Sequence, residues 1–300
     1  MSDYEIKNNE EFKEAIIRVI AFFDLFDHPL TVFEIRERLS RRIKLSELLV
    51  SLDELAAAPA NILAEKNGFY FLPGRKDIVS VRQERHNYSA RKIKIARRFA
   101  RVFSLLPFVR MIALANSLGQ YNLRDGSDID FFIISSPRRV WMTRLYCTGL
   151  AKLLNRRPRT GKKQDTICLS FYAASDHLNF DDLRLSGEDP YFDYWRQSLV
   201  VLYNKNNTYE KFLQANGLLP ATGAVFSFNE SRSGYFLNSL ESVAKKFQLA
   251  IMPLALKAAM NDSDGVVIND SILKLYQRDR RREYADLYEH KVNEIIKKNN

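Results

Sequence analysis

Two aspartates with strand-like spacing, Asp128 and Asp130, are the residues in this sequence best suited to chemistry. They lie where a polar turn at residues 125–127 leads into an apolar run at 129–134 that contains Asp130. Side chains alternate between the two faces of a β-strand, so residues two apart point the same way, about 7 Å apart along the backbone. The two carboxylates are therefore predicted to share one face.

Two carboxylates on one face carry an electrostatic cost that indicates a bound cation. At a separation of about 5 Å and an effective dielectric near ~20, their repulsion is on the order of 3 kcal/mol, which is large against the marginal stability of a folded domain. Mg²⁺ takes one or two carboxylates and completes its shell with water and substrate phosphates, so it fits the pair. An ordinary polar turn would explain Asp128 but not Asp130, which lies inside the apolar run.

A second polar turn precedes the aspartates. Residues 109–116 form an apolar segment that is interrupted by Arg110 and ends at Asn116, and Ser117 follows it. Asn tolerates a left-handed backbone and Ser is a good helix N-cap, so the chain is predicted to turn here and to present amides and a hydroxyl to an anion. The predicted order is a strand, an anion-binding turn, a connection, and a strand that carries Asp-x-Asp.

This order resembles the signature of the DNA polymerase beta-like nucleotidyltransferases, which is Gly-Ser or Gly-Gly, about ten residues, and then Asp-x-Asp. Asn116-Ser117 stands in the place of Gly-Ser, ten residues intervene, and residues 127–130 have the Ser-Asp-hydrophobic-Asp form. The chain departs from the signature at Asn116. Asn is the best substitute for Gly at a positive φ angle, but its side chain adds bulk beside a triphosphate.

The resemblance implies Mg²⁺-dependent transfer of a nucleoside monophosphate from an NTP to a hydroxyl acceptor, which is a protein, an RNA or a small molecule. It implies that Asp128 and Asp130 hold Mg²⁺. It also implies that Asn116 and Ser117 contact the nucleotide, and Arg124, in the turn between the two motifs, is a further candidate for phosphate contact.

The family also has a third carboxylate on a strand beside the Asp-x-Asp strand, where it binds a second Mg²⁺ and takes the proton of the attacking hydroxyl. Asp165 is the candidate for this catalytic and metal-binding role, because it opens a predicted strand at 165–172. The family usually has its acid further into the strand, at a position that Ser170 occupies here.

Composition and charge limit the class of protein. The chain has 300 residues, 46% of them hydrophobic, which is enough for two or three compact units. Its two cysteines, Cys147 and Cys168, lie in apolar sequence and indicate neither a disulfide framework nor a zinc site, so a reducing compartment is expected. A charged N-terminus and the lack of an apolar run of about 18 residues predict a cytoplasmic protein without a membrane span.

The net charge of +10 is concentrated around the Asp-x-Asp segment. Residues 75–165 contain 21 Lys and Arg but only 6 Asp and Glu, whereas the residues before and after carry a small net negative charge. Such a concentration is expected where a protein holds phosphates. Residues 75–163 are therefore candidates for contact with a polyanion, RNA or DNA.

Residues 1–74 are predicted to form a winged-helix-like domain of three helices and a hairpin. Helical apolar spacing covers residues 11–26, Thr31 caps a second helix, and a third helix runs over about 45–57. Asn67-Gly68, flanked by apolar runs, is a strong hairpin signal.

The third helix of such a domain often enters the major groove of DNA. Its polar positions here include Glu47, Asp53 and Glu54 but no Lys or Arg. Because attraction to phosphate supplies most non-specific DNA affinity, we expect this helix to contact protein rather than DNA. A DNA-binding regulator is therefore the less favoured of the alternatives.

The remaining chain is predicted to complete an α+β protein. A basic helical connector at 75–102, with Arg91, Lys94, Arg98 and Arg101 along one face, leads to a nucleotidyltransferase core at 103–180 with a mixed sheet and flanking helices. A helical region at 181–300 follows. Its predicted segments are helices at 190–203, 208–216, 235–259 and 271–298 and a loop at 217–233.

A second functional alternative keeps the fold but not the turnover. Asn116 and the displaced third acid favour a nucleotide-binding or regulatory module that transfers slowly or not at all.

Overall fold

A computed structural model describes residues 3–39, 43–159, 161, 163–218, 235–261 and 264–297. The chain is α+β and divides into two compact units. The first comprises residues 1–87, 188–194 and 280–300, and the second comprises residues 88–187 and 195–279. The domain boundaries predicted at 74, 102 and 180 stay predictions. Residues 219–233 of the loop predicted at 217–233 lie outside the described residues.

The secondary structure elements follow in chain order. The helices are α1 (Asp3–Asp24), α2 (Val32–Arg38), α3 (Leu45–Ala56), α4 (Ile78–Ser104), α5 (Asn116–Gly119), α6 (Val140–Leu153), α7 (Pro190–Gln197), α8 (Thr208–Ala215), α9 (Tyr235–Ala250), α10 (Leu254–Ala258) and α11 (Arg281–Lys297). The strands are β1 (Leu30–Thr31), β2 (Ala64–Lys66), β3 (Phe69–Phe71), β4 (Val109–Leu114), β5 (Ile129–Ser135), β6 (Ile167–Ala174), β7 (Val200–Asn204), β8 (Val266–Ile268) and β9 (Ile272–Leu275).

The first unit combines helices with a small antiparallel sheet of order β1-β3-β2. The predicted hairpin is confirmed, because β2 and β3 pair across Asn67 and Gly68, both at positive φ. The predicted cap at Thr31 is also confirmed. Its hydroxyl accepts from the Glu34 amide while the Glu34 carboxylate accepts from the Thr31 amide.

The second unit is built on a mixed six-stranded sheet of order β7-β4-β5-β6-β9-β8. β5 and β6 run parallel, and α6 lies between them in the chain, whereas the other described neighbours in this sheet are antiparallel. The side chains of β5 are almost all buried, as expected of a strand in the middle of a sheet. The predicted strands at 109–116 and 165–172 correspond to β4 and β6.

Successive side chains of β5 and β6 point to opposite faces of the sheet. Phe131 packs in a core with residues of α4 and α6, whereas Phe132 packs with the aromatic rings of Phe171 and Trp195. The register moves from Asp130 opposite Cys168 to Phe132 opposite Phe171, so β6 carries one extra residue there. Bulges of this kind are frequent beside functional sites, and this one follows directly after Asp130.

Two of the predicted C-terminal helices are wrong over part of their length. The helix predicted at 190–203 ends at Gln197, and residues 200–204 instead form β7 on the edge of β4. The helix predicted at 271–298 begins only at Arg281, because residues 272–275 form β9 beside β6. Both segments are short and rich in Val, Ile, Leu or Tyr, and their strand partners lie far away in the sequence.

The helix predicted at 235–259 is interrupted. α9 ends at Ala250 and α10 begins at Leu254, with Pro253 as its N-cap. Proline has no amide hydrogen and fixes φ, so a break at this position is expected. Among the described residues, every helix is too short or too polar to cross a bilayer.

Candidate metal centre

The site forms where β5 and β6 begin side by side. Asp128 precedes β5, Asp130 is its second residue, and Cys168 is the second residue of β6, directly opposite Asp130. One ligand atom from each of these three side chains lies within 4.8 Å of the other two. The expectation that Asp128 and Asp130 share a face agrees with this geometry, and all three residues are half-buried.

Asp130 is the electrostatically strained member of the group. Burial, and then the neighbouring charge of Asp128, raise the pKa of Asp130 to about 6, while hydrogen bonds from Asn116 and Cys168 act in the opposite direction. The Ala115 amide donates to the Asp130 carbonyl at 3.1 Å, which fixes the backbone of β5 against the end of β4. A cation between the carboxylates would relieve this strain.

Asn116 forms the turn that the sequence predicts. Its φ is +54°, in the left-handed region, so Asn does serve here as the substitute for glycine. Its side chain also hydrogen-bonds to Asp130, a contact that glycine could not make. Asn116 therefore positions one of the acids as well as shaping the turn.

Ser117 and Arg124 are exposed on the segment between the two motifs. Ser117 lies within α5 and accepts a hydrogen bond from the Asn122 amide at its carbonyl, 2.8 Å away, which leaves its hydroxyl on the surface. The Arg124 carbonyl accepts from the Ser127 amide at 3.2 Å in the turn before Asp128. Both side chains are thus open to a ligand on the side of the segment that faces solvent.

Cys168 was not identified as a site residue from the sequence, which indicated neither a disulfide framework nor a zinc site at the two cysteines. Its Sγ lies 3.0 Å from the Ser170 Oγ and faces the two carboxylates. Burial, and then the charges of Asp130 and Asp128, raise the pKa of the Cys168 thiol well above its usual range. The thiol is therefore protonated at neutral pH when no cation is bound. The signal available in the sequence was the spacing of Cys168 and Ser170, which lie two residues apart on a predicted strand, so that their side chains point to the same face.

Asp165 has a different environment from the one that the resemblance implies. It occupies a left-handed turn with φ +57°, and its carboxylate accepts from Lys92 at 2.8 Å and from Arg91 at 3.3 Å. Burial opposes its ionisation, but the hydrogen bonds and charges of Lys92 and Arg91 outweigh burial and lower its pKa. Among the described residues, the acid-and-thiol group that includes Asp128 does not extend to Asp165.

Lys92 is a positioning residue that the sequence analysis missed. Its side chain is fully buried, and its ammonium donates to the Ser127 carbonyl at 2.6 Å as well as to Asp165. It thereby connects α4 to the backbone immediately before Asp128. One signal in the sequence separates Lys92 from the exposed cations of α4. Lys92 lies next to Ile93 and one turn before Ala96, on the buried face of the helix.

No protein-family model, curated protein or solved structure matches this chain. The functional conclusion therefore depends on the geometry and chemistry of this site.

The donor set fits one Mg²⁺ but not two. Asp128 and Asp130 offer carboxylate oxygens, which are the hard donors that Mg²⁺ prefers. Cys168, opposite Asp130, supplies sulfur as the third donor atom of the group, and sulfur is a soft donor suited to other metals. Asp165, the expected third ligand, is held by two cations.

Proposed function

We propose that the second unit is a DNA polymerase beta-like nucleotidyltransferase that moves a nucleoside monophosphate from an NTP to a hydroxyl acceptor. The convergence of Asp128 and Asp130 beside the left-handed turn at Asn116 carries this proposal. A strained pair of carboxylates, preceded in the chain by the exposed Ser117 hydroxyl and the exposed Arg124, suits a metal-bound triphosphate. The two free cysteines support a reducing compartment, the cytoplasm.

Each residue has a role in this scheme. Asp128 and Asp130 hold the cation, and Asn116 orients Asp130 through its side chain. Ser117 and Arg124 contact the phosphates from the exposed face of their segment. When bound, Mg²⁺ neutralises phosphate charge and stabilises the charge that develops as pyrophosphate leaves.

Asp165 is better suited to holding the turn than to taking a proton. Its lowered pKa makes it a weak base, and its ion pairs with Lys92 and Arg91 tie it to α4. We propose that Asp165 acts with Lys92 to position the backbone before Asp128, and that water or the departing phosphates accept the proton of the acceptor.

Radiolabelled transfer tests the proposed activity. The full chain, Mg²⁺ and each labelled NTP in turn are incubated with total cell lysate, and the label is separated into protein, RNA and small-molecule fractions. We expect label in one fraction with the native chain and none with Asp130→Asn, because the variant loses a metal ligand but keeps its fold. Equal labelling by the two proteins would refute the assignment.

A polyanionic acceptor, RNA rather than protein, is the substrate class that the charge distribution favours. Lys94, Arg98 and Arg101 are exposed along α4, on the side opposite the buried residues Ile93 and Ala96. We call these three cations the α4 basic face. Within the described part of the chain no acidic side chain pairs with them, so their charge is available to a partner.

A second candidate function is nucleotide binding with little or no turnover. It is favoured by the thiol at the third ligand position and by the engagement of Asp165 with Lys92. A shift in the melting temperature on addition of Mg²⁺ and ATP, with no transfer from any NTP in the assay above, would identify this function.

The first unit is proposed to be a winged-helix-like domain that contacts protein. The order helix, strand, two helices and hairpin supports this interpretation. On α3, Glu47, Asp53 and Glu54 are exposed together with Val50, so the surface that would enter a DNA groove is acidic and partly apolar. Such a surface repels phosphate.

A further inference from the structure

We propose that Cys168 is a metal ligand in its thiolate form, and that it makes the site selective for a thiophilic divalent cation of the Zn²⁺ and Co²⁺ class over Mg²⁺. The inference rests on the proposed function in one respect, the metal site at Asp128 and Asp130. It does not depend on whether nucleotide is transferred.

The geometry brings sulfur and oxygen donors to one point. The ligand atoms of Asp128, Asp130 and Cys168 lie within 4.8 Å of one another, a spacing that one cation with bonds of about 2.0–2.3 Å bridges after small side-chain adjustments. Two of the three residues are fixed by the sheet, because Asp130 and Cys168 are register partners in the parallel pair β5 and β6. Two of the three ligands are therefore carried by strands, and the third, Asp128, directly precedes β5.

The sulfur determines which cation the site prefers. Thiolate is a soft ligand that selects Zn²⁺ and similar ions, whereas Mg²⁺ requires oxygen donors in near-octahedral geometry. A cation of the first class displaces the thiol proton to solvent on binding and then bonds to sulfur and to both carboxylates. Mg²⁺ gains little from the sulfur and has only the two carboxylates.

The position of Ser170 beside the Cys168 sulfur supports the assignment of Cys168 as a metal ligand. Its Oγ lies 3.0 Å from the Cys168 Sγ, on the same strand two residues away, within hydrogen-bonding range of the thiol or the thiolate. Hydrogen bonds of this kind orient metal ligands and tune their basicity. Ser170 thus fills, beside Cys168, the strand position at which the family has its third carboxylate.

The second cysteine supplies an internal control. Cys147 is fully buried on α6 within the hydrophobic core, and burial alone raises the pKa of its thiol to about 12. The acid-and-thiol group found among the described residues contains Cys168 and not Cys147. Replacing Cys147 by Ser therefore changes the thiol content of the chain without changing the site.

Titration of the full chain with Co²⁺ under reducing conditions tests the inference, because a bond from thiolate to Co²⁺ produces a charge-transfer band in the near ultraviolet. We expect this band with the native chain and with Cys147→Ser. We expect no band with Cys168→Ser, and Co²⁺ binding at least tenfold weaker. Stoichiometric Zn²⁺ should remove the band from the native chain, whereas a large excess of Mg²⁺ should leave it.

A Cys168→Asp variant keeps the test decisive if Cys168→Ser folds poorly, as judged by circular dichroism. It replaces sulfur by a carboxylate and should bind Mg²⁺ at least tenfold more tightly than the native chain does. The inference is overturned if the band survives in Cys168→Ser, if Mg²⁺ displaces Co²⁺ at equal concentration, or if Cys168→Asp gains no Mg²⁺ affinity.

The same samples separate this inference from the proposed function. A charge-transfer band without transfer from any NTP would reject the transferase and keep the thiolate ligand. Transfer that is supported by Mg²⁺ equally well in Cys168→Ser and the native chain, with no band in either, would reject the thiolate ligand and keep the transferase.

Discussion

Asp130 carries an unfavourable charge when no cation is bound, and this predicts an unusual pH dependence of stability. Its pKa is raised from 3.8 to about 6, so the folded state binds a proton more readily than the unfolded state does. As pH rises from 3.8 to about 6, ionisation of Asp130 therefore lowers the free energy of unfolding by up to about 3 kcal/mol. Asp130→Asn removes the charge and should stabilise the metal-free protein above pH 6.

Urea denaturation of the native chain and Asp130→Asn, in the presence of a chelator, measures this effect between about pH 4 and pH 8. The stability advantage of the variant should shrink as pH falls through about 6 and should reverse when a saturating cation is added at neutral pH. An advantage that is constant with pH would show that the Asp130 charge is not the cause.

Lys92 and Asp165 form a pair whose loss should be strongly destabilising. Lys92→Met leaves the Ser127 carbonyl and part of the Asp165 charge without a donor, and we expect a cost of about 2 kcal/mol, below the usual range for buried pairs because Asp165 is partly exposed. Lys94→Met, on the exposed face of the same helix, should cost less than about 0.5 kcal/mol.

A double-mutant cycle with Asp165→Asn, followed by urea denaturation, completes this measurement. The double variant should be less destabilised than the sum of the two single variants, because the partners left alone in the single variants are both absent. Additive costs, or a Lys92→Met cost as small as that of Lys94→Met, would contradict the role given to Lys92.

The residues of the site differ in how far local sequence reveals them. Asp128 and Asp130 were predictable because strand periodicity and charge repulsion act between neighbours in the chain. Asn116 was predictable because only a few residue types adopt positive φ. Cys168 and Lys92 were not identified, because their roles depend on partners 38 and 35 residues away along the chain, and only the packing of β6 and α4 brings those partners close.

At the scale of elements, α5 depends on a close approach that only glycine permits. A Cβ on Gly119 would lie 2.2 Å from the Ser198 carbonyl oxygen, just before β7. Gly119→Ala should therefore cost about 1–3 kcal/mol through overpacking, and it should weaken metal binding because α5 begins at Asn116.

Gly149 provides the matched control for this prediction. It lies within α6, and a Cβ there would meet nothing within 4 Å. Gly149→Ala should stabilise the protein by about 0.5–1 kcal/mol, because alanine is the better helix former. Opposite shifts of the urea midpoint are expected for the two variants, and a shift in the same direction for both would show that Gly119 is not sterically required.

The elements that the sequence analysis assigned wrongly share one physical feature. β7 and β9 each take their stability from a neighbouring strand, β4 or β6, that is about 90 or more residues away in the chain. Their side chains also satisfy a helical pattern over a few residues, so periodicity alone could not decide. β2, β3 and α2 were assigned correctly because a turn or a cap within the segment itself specified them.

At the scale of the whole molecule, the charge separates along the chain rather than spreading evenly. Residues 75–165 carry a net charge of +15, whereas the whole chain carries +10, so the remaining residues together are net negative. Part of this charge is internal, since Arg82, Arg85, Arg91 and Lys92 pair with acids of their own unit. The α4 basic face is one part that remains available to a partner, and it follows Lys92 along the same helix.

This distribution predicts salt-dependent binding of single-stranded RNA through the α4 basic face. Each phosphate contact contributes about 0.7 to the slope of log affinity against log salt concentration, so replacing Lys94, Arg98 and Arg101 by Gln should reduce the magnitude of that slope by about 2. Fluorescence anisotropy with a labelled oligonucleotide at several salt concentrations measures it. Gln at the three exposed lysines Lys44, Lys66 and Lys76 removes the same charge from the first unit and should leave the slope almost unchanged. Equal losses in the two triple variants would mean that net charge alone attracts the RNA and that α4 has no special part in binding it.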